Sequence, residues 1–119
     1  MSDGMKRRRE VLGDAHVDRA MERTTAFDAE FQEWITETAW GGVWSRPGLD
    51  IRTRSLVTIG ILAALGRDEL DIHLGAIENT GVSPEEVMEV LYHVAIYAGI
   101  PAAHSAIGRA KQIYEGGRE

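Results

Sequence analysis

The chain contains no cysteine, which removes disulfides, thiolate nucleophiles and cysteine metal sites together. Aromatic residues are scarce, with three Trp, three Tyr and two Phe, so any clustering among them carries information. Long hydrophobic runs are missing as well. The most apolar stretch, 56–65, is interrupted by Thr58 and Gly60 and falls far short of the roughly 20 residues that cross a bilayer. Positive charge is in the minority: 13 Lys and Arg stand against 19 Asp and Glu, a net charge of -6, whereas a nucleic-acid binder needs a broad basic face. The short run Lys6-Arg7-Arg8-Arg9 reads as a solvated N-terminal segment, and no apolar stretch follows it as in a signal peptide. Phosphate loops, dinucleotide fingerprints, zinc-protease helices and the nucleophile elbow are also missing. A cytoplasmic protein with no nucleic-acid or membrane partner is expected, and any catalysis must rest on His, Arg, Tyr, Trp and carboxylates.

What is present is helical spacing. The 119 residues, 44% hydrophobic and 27% charged, suit one soluble domain over 1–119 with flexible ends at 1–5 and 116–119. Alternation with period 2 is nowhere sustained, so the sequence predicts an all-α bundle of about six to seven helices. A first helix is expected over 6–12, and a second is capped by Asp14. The third opens at Thr25, with an apolar stripe of Phe27, Phe31, Trp34, Ile35 and Thr38 that ends at Gly41-Gly42. Asp50 is placed to cap a fourth helix that stops at a left-handed Gly66. Nearly every face of that helix is apolar, as in a bundle centre or a subunit interface. The fifth, over 67–80, stripes Leu70, His73, Leu74 and Ile77 inward. Ser83, Pro84 and Glu86 form a capping box for the sixth. A last helix follows Gly99 and Pro101 and runs to Gly116-Gly117.

The stretch "WGGVWSRPGLDIRTRSL", 40–56, gathers Trp40, Trp44, Arg46, Arg52 and Arg54. Cations are disfavoured at a helix start by the macrodipole, so this junction reads as a receptor for carboxylates, with guanidinium forks and free backbone N–H groups as donors. Salt bridges to surface carboxylates compete with that reading. The two indoles read as walls of a dry pocket, or as core or interface anchors. His73 stands on an apolar stripe where Leu is the plain choice, either as a tuned proton donor or as a hydrogen-bonded core histidine. His93 and Tyr97, one turn apart and in column with Glu89, form a surface ladder or a second donor site. His73, His93 and His104 lack the short spacing of helical metal sites, so no metal is expected.

The segments "EVLG" at 10–13, the long stretch from Trp40 to Gly81, and "EEVMEVLYHVAIYAGIPAAHSAI" at 85–107 resemble the gamma-carboxymuconolactone decarboxylase family. The likeness covers nearly the whole chain and implies the alkyl hydroperoxidase D-like helical fold. In the thiol-peroxidase branch of that fold a C-x-x-C pair precedes a histidine; matching the histidine to His73 puts Gly66 and Glu69 at the cysteine positions, so thiol chemistry is absent. The resemblance implies cofactor-free decarboxylation of 4-carboxymuconolactone, a dicarboxylate lactone, to 3-oxoadipate enol-lactone in protocatechuate catabolism, the protocatechuate branch of the beta-ketoadipate pathway. It also implies a homo-oligomer, a trimer or hexamer. On that reading Arg54, with Arg46 or Arg52, anchors the substrate. His73 donates the proton, Tyr97 or His93 steadies the developing oxyanion, and Trp40 and Trp44 keep the leaving carboxylate dry. Two alternatives remain open: a same-fold enzyme for another lactone or beta-keto acid, and a non-catalytic helical assembly protein.

Overall fold

A computed structural model describes residues 1–116. Among them every regular element is helical, as the spacing predicts, and none is a strand. The order is α1 (Asp3–Leu12), α2 (Asp14–Arg23), α3 (Ala29–Ile35) continued by a π-helical turn (Thr36–Gly41), α4 (Ile51–Leu65), α5 (Leu70–Gly75), α6 (Ile77–Thr80), α7 (Pro84–Tyr97) and α8 (Ile100–Glu115). None of these helices is long and apolar enough to cross a membrane. The chain gathers into two compact units, Met1–Ile51 and the residues from Arg52 onward.

In the first unit α1 begins at Asp3, ahead of the expected 6–12 span, because the Ser2 hydroxyl accepts the Met5 N–H and caps it. Gly4, Arg8 and Val11 form its buried stripe, at the spacing of one helical face. The basic run is therefore not simply solvated. Arg8 is only 6% exposed, Arg7 meets Glu10, and Arg9 meets both Asp14 and Asp18. Asp14 does not cap α2. Gly13 occupies that position with no side-chain bond, and Asp14 faces Arg9 at 3.1 Å. The predicted stripe of α3 is also corrected. Phe27, Phe31 and Trp34 are exposed, and Phe31 packs on Trp34 with ring centroids 5.9 Å apart. The residues buried further along are Thr36 and Trp40. Backbone contact decides this. A Cβ on Gly4 would lie 2.3 Å from the Thr36 carbonyl oxygen, so only glycine lets α1 approach the π-helical turn this closely.

The second unit has the larger core. Ile59 and Ala63 of α4 pack with Leu70, Leu74, Ile77, Val87, Leu91 and Ala106; full burial of each large aliphatic contributes about 1.5–3 kcal/mol. The expected fifth helix is two short ones. The chain departs from helical geometry at Ala76 (φ -95°, ψ 2°) between α5 and α6, a position 4% exposed within the core. Gly66 (φ 66°) and Gly81 (φ 81°) are the left-handed stops, conformations in which a Cβ is strained. At α7 the capping box is complete: Ser83 Oγ accepts the Glu86 N–H at 3.1 Å, and Glu86 Oε1 accepts the Ser83 N–H at 3.0 Å. The expected end of the last helix at Gly117 lies outside the described residues, as does most of the predicted flexible 116–119 end.

Arg109 of α8 reaches Asp68 at 3.0 Å and Asp71 at 3.4 Å, and the hydrogen bond to Asp68, then the charge of Asp71, raise its pKa. One turn further on, the Tyr114 hydroxyl donates to the Leu74 carbonyl at 2.8 Å. Burial pushes its pKa up from the ordinary 10.0 to about 12. A group whose folded pKa is raised stabilises below its unfolded pKa and loses that contribution as pH climbs through the folded value. Chemical denaturation of the protein should therefore show stability falling between pH 10 and about 12. Tyr114→Phe should lose this part of the slope while costing about 1 kcal/mol at neutral pH for the missing hydrogen bond. Equal slopes for the two proteins would contradict this role for the phenol.

Candidate active site

The junction singled out by the sequence starts in the π-helical turn. At Thr36, where the π-helical turn begins, the N–H is shared between the Gln32 and Glu33 carbonyls, and the hydroxyl donates back to the Gln32 carbonyl at 2.8 Å. Such back-bonding loosens a helical ladder, and π insertions are frequent at functional sites. Trp40 rides on this turn. Trp44 follows it, its N–H bonded to the Ala39 carbonyl at 2.9 Å. Their indoles stack with centroids 5.1 Å apart and planes 27° from parallel. Both are 8% exposed and form a small core with Val11, flanked by Leu12, Ala39 and Ile51. Ser45 closes the turn by donating its hydroxyl to the Trp40 carbonyl at 2.7 Å. Arg46, whose N–H meets the Val43 carbonyl at 3.1 Å, then stands on an exposed bend.

In the second unit Arg52 and Arg54 occupy the first turn of α4. Arg52 forms an ion pair with Glu86, so one carboxylate both completes the α7 capping box and holds the start of α4. Arg54 is half-buried and Ser55 beside it fully buried. Ser55 Oγ accepts the Thr80 hydroxyl at 3.1 Å, which fixes α4 against the end of α6. His73 is half-buried in the last turn of α5, with Leu70 and Leu74 of its stripe in the core.

His93 and Tyr97 stand on the exposed face of α7, their rings parallel within 10° and 6.3 Å apart; Tyr97 is 85% exposed. His104 is exposed. His16 is half-buried in α2, where burial, then Arg19, Arg23 and Arg8, lower its pKa. Among the described residues no three His, Asp or Glu side chains come together in a metal-holding group. The sequence reading missed two residues that organise these parts, Arg8 and Thr36, and saw the capping box of Glu86 but not its ion pair with Arg52. The stripe of Gly4, Arg8 and Val11 was the available signal for the first. Thr36 offered none, since a threonine in a helix is ordinarily unremarkable.

Comparison with known proteins adds a second line of observation. The model of the carboxymuconolactone decarboxylase family matches residues 29–112. A 4-carboxymuconolactone decarboxylase of Acinetobacter baylyi is 49% identical over 113 residues, covering 94% of this chain and 84% of that protein. A nitrosuccinic acid decarboxylase of Metarhizium robertsii is 42% identical over 108 residues, covering 88% of this chain and 74% of its own length. A 4-carboxymuconolactone decarboxylase of Pseudomonas putida is 60% identical over 38 residues, 32% of this chain and 79% of the relative. The matched range spans the residues from α3 through the start of α4 and α5 into α8, and the chain belongs to the carboxymuconolactone decarboxylase family.

Proposed function

We propose that the chain removes CO2 from 4-carboxymuconolactone to give 3-oxoadipate enol-lactone, without a cofactor. The observation that carries this reading is the 49% identity over 94% of the chain with the Acinetobacter baylyi protein of that name. The chemistry suits a protein that works with side chains alone. The departing carboxylate sits on the ring carbon gamma to the lactone carbonyl. When its C–C bond breaks, the electron pair spreads through the C=C bond onto the carbonyl oxygen, and a proton delivered to the alpha carbon completes the product. The substrate thus supplies its own electron sink. Nitrosuccinic acid, named in the fungal relative, follows the same logic, since a nitro group beside the carboxylate accepts the pair.

Three tasks are left to the protein: anchoring the acetate carboxylate, stabilising the dienolate oxygen and delivering the proton. Arg54 anchors, by bidentate guanidinium recognition. Arg46 or Arg52 is the second anchor; Arg52 also pairs with Glu86. His73 gives up the proton as general acid. Tyr97 or His93 donates to the developing oxyanion. The Trp40 and Trp44 indoles give the leaving carboxylate an apolar surface that favours neutral CO2.

The deciding experiment is to follow CO2 release and enol-lactone formation from fresh 4-carboxymuconolactone with no cofactor added. Turnover well above the spontaneous rate supports the reading. A folded protein that leaves the lactone untouched but consumes nitrosuccinate would move it to the second substrate class. His73→Ala should lower kcat by roughly 10²–10⁴-fold, the span of a general acid; an unchanged kcat would remove it from the mechanism. Arg54→Ala should chiefly raise KM, the mark of lost uniform binding.

The reading includes a cytoplasmic homo-oligomer, trimeric or hexameric. Val57, Ile61 and Leu65 recur every four residues along α4 and are all exposed, at 47%, 53% and 61%, a strip suited to cover by another subunit. Sedimentation at micromolar concentration should show an assembly, and Ile61→Lys should shift it toward monomer. A wild-type monomer would be the contrary result.

A further inference from the structure

Among the described residues of the first unit, Arg8 is the group whose position is hardest to account for by folding alone. Its side chain is buried, with the residue 6% exposed. Its hydrogen bonds go to neutral acceptors, Thr36 Oγ1 at 3.0 Å and Gln32 Oε1 at 3.3 Å. Its Nε is buried with no hydrogen-bond partner. Burial, and then neighbouring Arg9, hold its pKa below the ordinary guanidinium value. Charges taken out of water are normally paired, because desolvation is otherwise uncompensated. Replacing a buried charge by an apolar side chain of similar volume is often neutral or stabilising, so stability alone does not account for the guanidinium.

Its targets supply one. Gln32 and Thr36 lie one turn apart where α3 gives way to the π-helical turn, and the Thr36 hydroxyl donates to the Gln32 carbonyl at 2.8 Å. Gly4, one turn before Arg8, lets the α1 backbone approach the same Thr36, to where a Cβ would lie 2.3 Å from its carbonyl oxygen. Two residues on one face of α1 therefore hold a single residue of the turn, one through its fork and one through backbone contact. From Thr36 the turn leads to Trp40. Trp40 stacks on Trp44, its carbonyl is held by Ser45, and the next residue is Arg46.

We infer that Arg8 is a positioning residue whose grip on Thr36 and Gln32 sets the π-helical turn, and through it the Trp40–Trp44 stack and the bend that carries Arg46. The kinetic consequence rests on the decarboxylase reading above; the geometric one does not. A planar guanidinium can meet two acceptors at once where an ammonium cannot, so Arg8→Lys should keep the charge and lose the register.

The test uses the full chain in a Trp34→Phe background, so that the far-ultraviolet exciton couplet of stacked indoles reports on Trp40 and Trp44. Thr36→Val removes the hydroxyl and keeps the branched shape, while Thr36→Ser keeps the hydroxyl. Arg8→Lys and Thr36→Val should both diminish the couplet and lower kcat/KM several-fold. Thr36→Ser should restore both, and Arg7→Gln, which removes a neighbouring cation, should alter neither. An undiminished couplet in folded Thr36→Val overturns the inference, as does a Thr36→Ser variant as impaired as Thr36→Val. Should Arg8→Lys fail to fold, the two Thr36 variants decide the matter alone. A diminished couplet in a chain whose parent lacks decarboxylase activity would sink the proposed function and leave the positioning role standing.

Discussion

The carboxylate of Glu86 is shared between two helix starts, and that sharing ties α4 to α7 in the second unit. One oxygen accepts the Ser83 N–H and closes the capping box of α7. The other holds Arg52 in the first turn of α4. A cation in that turn works against the macrodipole, and a carboxylate against it offsets the penalty. Arg54 follows in the same turn, beside the buried Ser55 that accepts the Thr80 hydroxyl. Loss of the capping carboxylate would disturb both helices.

The first unit solves a related problem by different means. It has few large apolar residues to bury, and its aromatic pair, Trp40 and Trp44, forms most of a small core with Val11. The π-helical turn places one indole over the other, and α1 holds that turn through a glycine contact and a buried guanidinium. Hydrogen bonds to a charged group are stronger than neutral ones but expensive to desolvate. Arg8 therefore specifies a register rather than adding much to stability.

The proposed chemistry fits a protein of this size. A substrate that carries its own electron sink needs anchoring, an oxyanion donor and one proton, all of which Arg, Tyr and His side chains can supply.

What the sequence determined by itself was local. Helical periodicity gave an all-α chain, the Ser83-Pro84-Glu86 pattern gave the start of α7, and the glycines gave the stops after α4 and α6, because each rests on contacts within a few residues. The Trp and Arg cluster at 40–54 was visible as composition, and the family resemblance gave His73 its proposed role. Tertiary structure decided the rest. A stripe of Phe27, Phe31 and Trp34 looks like a core face, yet those residues are exposed because α1 packs on Thr36 and its neighbours instead. A run of four cations looks solvated, yet one of them is buried between helices, since the pattern of Gly4, Arg8 and Val11 acquires meaning only when a partner helix lies against it. Likewise, whether Arg52 meets a ligand or Glu86 depends on residues 34 positions apart, a distance that no local pattern spans.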